Sequence, residues 1–174
     1  MPLLLDSLPS GSRVTVIRLR SLGDCVLTTP ALALLKAHRP DLRIQIVVEP
    51  RFAGVFEGSS DVDEISVDVK FVNRTGAALV LNLHGGTRSM MMTLSTGAKV
   101  RAGFGHHRYG FVYSHKIPRA QEILGIERPV HTAEHLASAM FYLGAARGEV
   151  PRARLISPEG RPGGPPHSKE SEAA

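Results

Sequence analysis

Short, almost wholly apolar runs alternate with helix-like segments along this chain, and this alternation constrains the fold more than any other feature. Strands are predicted at Val14–Leu19, Arg43–Val48, Glu64–Val67, Ala78–Leu83 and Lys99–Gly103. Helices are predicted at Asp24–His38, Pro50–Glu57, Thr87–Ser95 and His131–Leu143. Strands that are apolar on both faces are typical of a parallel sheet covered by helices on both sides. The sequence therefore predicts an α/β fold with a Rossmann-like, doubly wound, mostly parallel sheet.

Size and composition indicate one soluble domain. The chain has 174 residues, enough for a substantial core, and we assign residues 13–144 to that domain. From Ala145 onward Pro and Gly recur without apolar periodicity, so residues 145–174 are predicted to form a disordered tail. No run approaches the roughly 18 apolar residues of a membrane span, and the N-terminus lacks the basic leader of a secretory signal. Cys25 is the only cysteine, which excludes an internal disulfide and favours the cytosol.

The middle of the chain is strongly basic. No Asp or Glu occurs between Asp68 and Glu122, whereas that span holds Lys70, Arg74, His84, Arg88, Lys99, Arg101, His106, His107, Arg108, His115, Lys116 and Arg119. Arginine outnumbers lysine 16 to 5 in the whole chain, and arginine binds carboxylate or phosphate through paired hydrogen bonds. This pattern favours an anionic partner such as a phosphorylated sugar, nucleic acid, a phospholipid surface or an acidic substrate. A solvated basic face is the alternative.

A short loop, Arg18–Asp24, leaves the first predicted strand and enters the first helix. In parallel α/β sheets such loops face the ligand crevice at the carboxyl ends of the strands. The loop has a single glycine, Gly23, and the carboxylate of Asp24 would repel a phosphate but could accept a proton from a substrate hydroxyl. Ser21 and Asp24 also have the spacing of a helix-capping box, so these residues alone support catalysis and capping equally.

A second set of polar residues follows the fourth predicted strand, at His84–Arg88. The pair Gly85–Gly86 lets a ligand approach the backbone closely, and the next helix N-terminus with Arg88 favours an anion, although an ordinary tight turn has the same sequence. Because the first and fourth strands end at the same edge, both sets are predicted to face one crevice. A later loop adds three candidate anion-binding side chains, namely His106, His107 and Arg108.

Two weaker patterns suggest other chemistry. His131, Glu134 and His135 match the H-x-x-E-H spacing of inverted zinc peptidases. A third ligand would have to come from acids in or beside the predicted tail, so a helix-start or interface role is the preferred interpretation. Cys25 follows Asp24 directly and could be a nucleophile, but a lone cysteine at a helix start is more often a small buried apolar residue.

Several segments resemble, in order, the landmarks of one enzyme family. Residues 16–32, VIRLRSLGDCVLTTPAL, closely resemble the opening of glycosyltransferase family 9, the ADP-heptose:lipopolysaccharide heptosyltransferases. Residues 48–52, 61–65, 79–85 and 101–104 are similar to later landmarks of that family. The resemblance covers roughly residues 13–144.

This resemblance implies a bacterial, cytoplasmic enzyme with a two-domain, B-type glycosyltransferase fold, of which the chain matches only the N-terminal, acceptor-side half. It implies inverting transfer of a heptose from a nucleotide-diphosphate sugar to the lipopolysaccharide inner core, with Asp24 as general base and with no cofactor. The acceptor would be bound by Ser21, Gly23, Arg51, His84, Gly85, Arg88, Arg101, His106, His107 and Arg108.

Because no segment resembles the donor half, we expect little or no turnover by the chain alone, and a second chain could supply the donor site. We expect at most peripheral contact with the inner face of the bacterial inner membrane. Nucleic acid is not expected as a partner, since aromatic residues are only 5% of the chain and no RNA-binding motif occurs. The alternative function is a non-catalytic module that binds a phosphorylated glycan or another polyanion.

Overall fold

The computed structural model describes residues 3–67 and 76–155. These residues contain a six-stranded sheet in the order β3-β2-β1-β4-β5-β6, and every neighbouring pair of strands is parallel. The strands are β1 (Arg13–Ile17), β2 (Arg43–Val47), β3 (Glu64–Ser66), β4 (Leu79–Asn82), β5 (Val100–Phe104) and β6 (His115–Ile117). The predicted Rossmann-like parallel sheet is confirmed.

Within the described residues, five α-helices connect and cover the strands. They are α1 (Leu22–Val26), α2 (Thr29–His38), α3 (Thr87–Ser95), α4 (Ala120–Leu124) and α5 (Thr132–Leu143). Short 3₁₀-helices occur at Leu5–Ser7, Pro50–Val55 and Gly110–Val112. The predicted helix at 87–95 has the predicted bounds, and the one predicted at 50–57 is a 3₁₀-helix.

The single helix predicted from Asp24 to His38 is wrong, because the structure divides it into α1 and α2. Pro30 has no N–H, and its ring would clash with the carbonyl four residues earlier, which belongs to Val26. The hydroxyl of Thr29 instead donates to the Val26 carbonyl at 2.8 Å. The chain therefore starts a second helix with proline in its first turn.

Strand β6 and helix α4 were not predicted. The strand has three residues, of which only Ile117 is buried, so no apolar run marks it in the sequence. It is placed by its pairing with β5, where Ala102 lies beside His115. The helix has five residues, of which Ala120 and Ile123 are buried, and is too short to show a helical period.

The two faces of the sheet bury different residues. On one face, side chains such as Val14 and Val16 pack with α2, α4 and α5 in the larger core cluster. On the other face, a smaller cluster comprises Ile17, Leu19, Val47, Val80, Met92 and Ala98, and includes a residue of α3. Because helices cover opposite faces, the sheet is doubly wound as predicted.

The chain beyond α5 contacts the domain as far as the structure describes it. Ala145 is buried in the larger cluster, Val150 packs against it, and the N–H of Arg154 donates to the Thr29 hydroxyl at 2.9 Å. Residues 156–174, most of the predicted tail, lie outside the described residues. No helix within the described residues is long and apolar enough to cross a membrane.

Candidate functional site

Asp24 lies in the first turn of α1, close to the carboxyl end of β1, and its two carboxylate oxygens have different partners. Oδ1 accepts from Nη2 of Arg18 at 2.8 Å. Oδ2 accepts from the backbone N–H and from the hydroxyl of Ser21, both at 3.2 Å. The predicted capping box is thus present, yet 42% of the Asp24 side chain remains exposed. Capping and access to a ligand therefore coexist at this residue.

The environment keeps Asp24 ionised. Partial burial alone would raise the pKa of this carboxyl, but the Ser21 backbone hydrogen bond and the charge of Arg18 outweigh it and lower the pKa below its ordinary value. At neutral pH the group is therefore an anion that can accept a hydrogen bond or a proton.

Arg18 was not predicted as a site residue, and it connects two strand ends. Its side chain is only 8% exposed. Its Nη1 donates to the carbonyl of Leu83 at the end of β4, while Nη2 holds Asp24. An arginine inside the predicted strand Val14–Leu19 was the sequence signal for this role, because a buried guanidinium requires a partner. Arg18 thereby fixes the carboxylate relative to the turn that follows β4.

That turn is built by Asn82, a second residue that sequence reasoning missed. Its buried side-chain oxygen accepts from the backbone N–H groups of His84 at 3.0 Å and Gly85 at 3.1 Å. Its side-chain nitrogen donates to the Thr93 hydroxyl of α3 at 3.0 Å. The turn therefore has a fixed shape that brings His84 to the same edge as Asp24, as predicted.

Gly85 allows the later histidine loop to approach this turn. The residue has φ +80°, and a Cβ there would lie 2.2 Å from Nδ1 of His107. No larger side chain fits unless the imidazole moves. Thus His107 of the loop after β5 packs directly against the turn after β4, and the two predicted sets of residues meet.

The histidines near this edge are uncharged at neutral pH. Burial is the main cause, and it lowers the pKa of His84, His106, His107 and His135, that of His107 to about 4. The His135 ring stacks on Phe104 with 4.1 Å between centroids. Nδ1 of His107 is buried and has no hydrogen-bond partner among the described residues. Any contact of these rings with an anion would be a neutral N–H hydrogen bond.

Glu49 lies near the carboxyl end of β2 and accepts hydrogen bonds from two arginine side chains. Its Oε1 accepts from Nη1 of Arg88 at 3.0 Å, and its Oε2 accepts from Nη2 of Arg51 at 2.9 Å and from Nε of the same residue at 3.2 Å. Hydrogen bonds from Arg51 are the largest cause that lowers the pKa of Glu49, and the charges of Arg88 and Arg20 act in the same direction. The sequence predicted Arg51 and Arg88 separately, but not the carboxylate that joins them.

One predicted residue, Arg101, lies apart from this group. Arg101 is near the amino end of β5, and its Nε and Nη1 donate to the carbonyls of Val112 at 2.9 Å and Ala98 at 2.8 Å. The Arg108 guanidinium lies 5.6 Å from the ring centre of Tyr109. A cavity of about 260 Å³ lies at the opposite edge of the sheet, where the amino ends of β1, β2 and β3 meet. It is lined by Arg13, Arg43, Ile44, Gln45, Asp63 and Glu64.

The H-x-x-E-H residues have local structural partners. Nδ1 of His131 accepts from the Ala133 N–H at the start of α5, and Glu134 pairs with Arg128 at 2.7 Å. Within the described parts of the chain, no group of three or more His, Cys, Asp or Glu residues could hold a metal ion. Burial also raises the pKa of the Cys25 thiol to about 11, which disfavours the nucleophilic thiolate.

Comparison with solved structures identifies proteins of the same fold. A glycosyl transferase family 9 protein from Veillonella parvula DSM 2008 has a TM-score of 0.70 at 22% identity, over 86% of this chain and 46% of that one. E. coli heptosyltransferase WaaC with ADP-2-deoxy-2-fluoro heptose gives 0.65 at 16%, over 81% and 52%. E. coli ADP-heptose lps heptosyltransferase II gives 0.67 at 14%, over 85% and 47%.

The chain shares its fold with about half of each transferase. It spans about half the length of these structures, and the sequence identities are low enough that the likeness establishes fold alone. No protein-family model matches the chain, and no curated protein sequence matches it.

Proposed function

We propose that this chain is the acceptor-binding half of a heptosyltransferase-like enzyme that transfers a heptose from a nucleotide-diphosphate sugar to the lipopolysaccharide inner core. The observation that carries the proposal is the ionised, partly exposed carboxylate of Asp24 at the carboxyl-end edge, held by Arg18. The structures that share the fold support it, since E. coli heptosyltransferase WaaC was solved with ADP-2-deoxy-2-fluoro heptose.

In this reaction Asp24 acts as the general base. The acceptor hydroxyl donates its proton to the carboxylate as its oxygen forms a bond to the anomeric carbon of the donor sugar. The bond from that carbon to the diphosphate oxygen breaks on the opposite side, and the diphosphate leaves with the electron pair, so the configuration inverts. Because the pKa of Asp24 is low, proton transfer is favourable only once the attacking oxygen has become acidic through bond formation.

We assign acceptor binding to residues near the carboxyl ends of the strands. Ser21 and Gly23 border the carboxylate, the turn at His84 and Gly85 faces it, and Arg51 and Arg88 supply positive charge. His106, His107 and Arg108 extend the surface along the loop after β5. We leave Arg101 out of the acceptor site because two backbone carbonyls occupy its guanidinium.

The chain spans about half of each matching transferase, so we propose that it needs a second, donor-binding half for turnover. The enzyme would act in the bacterial cytoplasm, where its membrane-anchored acceptor would lie at the inner face of the inner membrane.

The test is heptose transfer from ADP-heptose to an inner-core acceptor, with the chain alone and with the chain mixed with the donor-side half of an E. coli heptosyltransferase. We expect transfer only in the mixture. Asp24→Asn should lower the rate by about 10²- to 10⁴-fold, the usual contribution of a positioned base, at unchanged acceptor affinity.

Asp63→Asn is the matched control, because Asp63 also pairs with a cation, Lys36, and accepts a backbone N–H, from Ile44, but lies at the opposite edge. Equal loss in both variants would show that Asp24 is only structural.

The second candidate is a non-catalytic module that binds a phosphorylated glycan. The observation that favours it is that both Asp24 oxygens already have partners, as a purely structural cap requires. In that case no mixture transfers heptose, whereas the chain still binds the phosphorylated acceptor and Asp24→Asn leaves that affinity unchanged.

A further inference from the structure

Three arginines gather around one carboxylate, and their charges are not balanced within the described residues. Arg51 and Arg88 each donate to Glu49. Arg20 directly follows Leu19, whose carbonyl accepts from the backbone N–H of Glu49 at 3.0 Å, and the charge of Arg20 also acts on Glu49. Arg18 does not contribute to the excess, because it is paired with Asp24. Three positive charges therefore face one negative charge, a net charge of +2 whose mutual repulsion an incoming anion would relieve.

The arginines keep donors available for such an anion. Arg51 uses Nε and Nη2 on Glu49, which leaves Nη1, and Arg88 uses only Nη1, which leaves Nε and Nη2. Arg20 makes no hydrogen bond or ion pair with any part of the chain that the structure describes. The side chains of Arg51 and Arg88 are 68% and 50% exposed, whereas that of Glu49 is 14% exposed. The Glu49 side chain is thus largely shielded from solvent, whereas the side chains of Arg51 and Arg88 are exposed.

We propose that Arg20, Arg51 and Arg88 form a binding site for a phosphate dianion, and that Glu49 is the residue that positions two of them. A phosphate dianion matches the net charge of the group, whereas a single carboxylate would leave one positive charge unpaired. Its three terminal oxygens can also accept from guanidinium groups that come from the loop after β1, from the 3₁₀-helix at 50–55 and from α3.

The site adjoins the candidate base. Arg20 directly precedes Ser21, whose backbone N–H and hydroxyl both donate to Asp24 at 3.2 Å. The charges of Arg20, Glu49, Arg18 and Asp24 also all act on the imidazole of His84. The inference rests on the proposed function, and it assigns the phosphate to the acceptor. A phosphorylated acceptor sugar held by the arginines would thereby present a neighbouring hydroxyl toward Asp24.

The test follows the arginine Nε–Hε signals by NMR while the full chain is titrated with inorganic phosphate or acetate near neutral pH. We expect saturating shifts of the Arg51 and Arg88 signals, and an affinity for phosphate at least about tenfold higher than for acetate. Arg51→Lys or Arg88→Lys should weaken phosphate binding by about fivefold, because lysine keeps the charge but lacks the fork of donors. Arg43→Lys, at the amino end of β2, is the matched control.

Glu49→Gln separates positioning from simple charge. The variant raises the net positive charge, so long-range attraction alone would tighten phosphate binding. Loss of the carboxylate that orders two guanidinium groups should instead weaken it by about threefold or more. Glu64→Gln is the matched control, since Glu64 pairs with Arg13 at 3.1 Å at the opposite edge. Tighter binding by Glu49→Gln, or equal affinity for phosphate and acetate, overturns the inference.

Two further arms identify the source of the phosphate. We expect glucose 6-phosphate to compete with inorganic phosphate in an Arg88-dependent way, and ADP to compete poorly. Competition by ADP alone would overturn the assignment to the acceptor. The transfer assay and the phosphate titration can fail separately. Phosphate binding without heptose transfer would reject only the catalytic proposal. Asp24-dependent transfer without phosphate binding at Arg51 and Arg88 would reject only this inference.

Discussion

Acid should destabilise this protein through His107 before the carboxylates begin to titrate. Burial lowers the pKa of His107 to about 4 from its ordinary value of 6.5. Because the folded pKa is depressed, the unfolded chain binds more protons between these two values. The contribution of His107 is therefore complete above about pH 6.5 and is lost progressively as the pH falls toward 4.

The magnitude follows from the shift. At about pH 4.5 the full shift would lower the free energy of unfolding by about 3 kcal/mol, and screening of a half-buried ring reduces this to about 1 kcal/mol. The pKa values of His84, His106 and His135 are lowered in the same direction, so their contributions add to the slope.

Urea unfolding, followed by circular dichroism at several pH values, measures this effect. His107→Leu removes the titrating group without leaving a hydrogen-bond partner unpaired, because Nδ1 of His107 has none among the described residues. The variant should lose about 1 kcal/mol of the pH dependence between about pH 6.5 and 4.5. His115→Leu, an exposed histidine in β6, is the control. An unchanged slope in His107→Leu would refute the assignment.

Two other substitutions test the geometry of the site. Gly85→Ala should lower the free energy of unfolding by about 2 kcal/mol in urea titrations, because alanine disfavours φ +80° and its Cβ would meet the His107 ring. Adding His107→Ala to this variant should restore only the part of the lost stability that comes from the clash, because the unfavourable φ remains. Restoration of all or none of the lost stability would contradict this explanation. Arg18→Met should raise the pKa of Asp24, measured by carbon NMR of its carboxyl, because it removes the paired charge. A pKa that stays low would assign the shift to Ser21 alone.

The order of the elements was predictable because it depends on local apolar patterns. The buried strands β1, β2 and β4 each bury at least four consecutive residues in the structure, so their sequences identify them without reference to the rest of the chain. By contrast, β6 has a single buried residue and exists through its pairing with β5. The break between α1 and α2 was readable from Pro30, but the apolar periodicity on both sides concealed it.

The site was only partly predictable, because its long side chains form hydrogen bonds with residues that are distant in sequence. Glu49 and Arg88 are 39 positions apart, and Arg18 and Leu83 are 65 apart. The sequence placed their backbones at the correct edge but could not show which guanidinium would meet which oxygen. Arg101 illustrates the limit, since it belongs to the basic segment and yet donates to carbonyls near the other end of its strand.

Capping and catalysis, which the sequence presented as alternatives for Asp24, are compatible in the structure. A carboxylate offers about four acceptor positions. Ser21 occupies Oδ2 with two donors, and Arg18 occupies Oδ1 with one. The position left on Oδ1 is next to the guanidinium, so a hydroxyl bound there would lose its proton beside a positive charge that stabilises the developing alkoxide. The hydrogen bonds from Ser21 therefore fix the orientation of the Asp24 carboxylate. Arg18 lies beside Oδ1, where it would stabilise the alkoxide that develops in the proposed reaction.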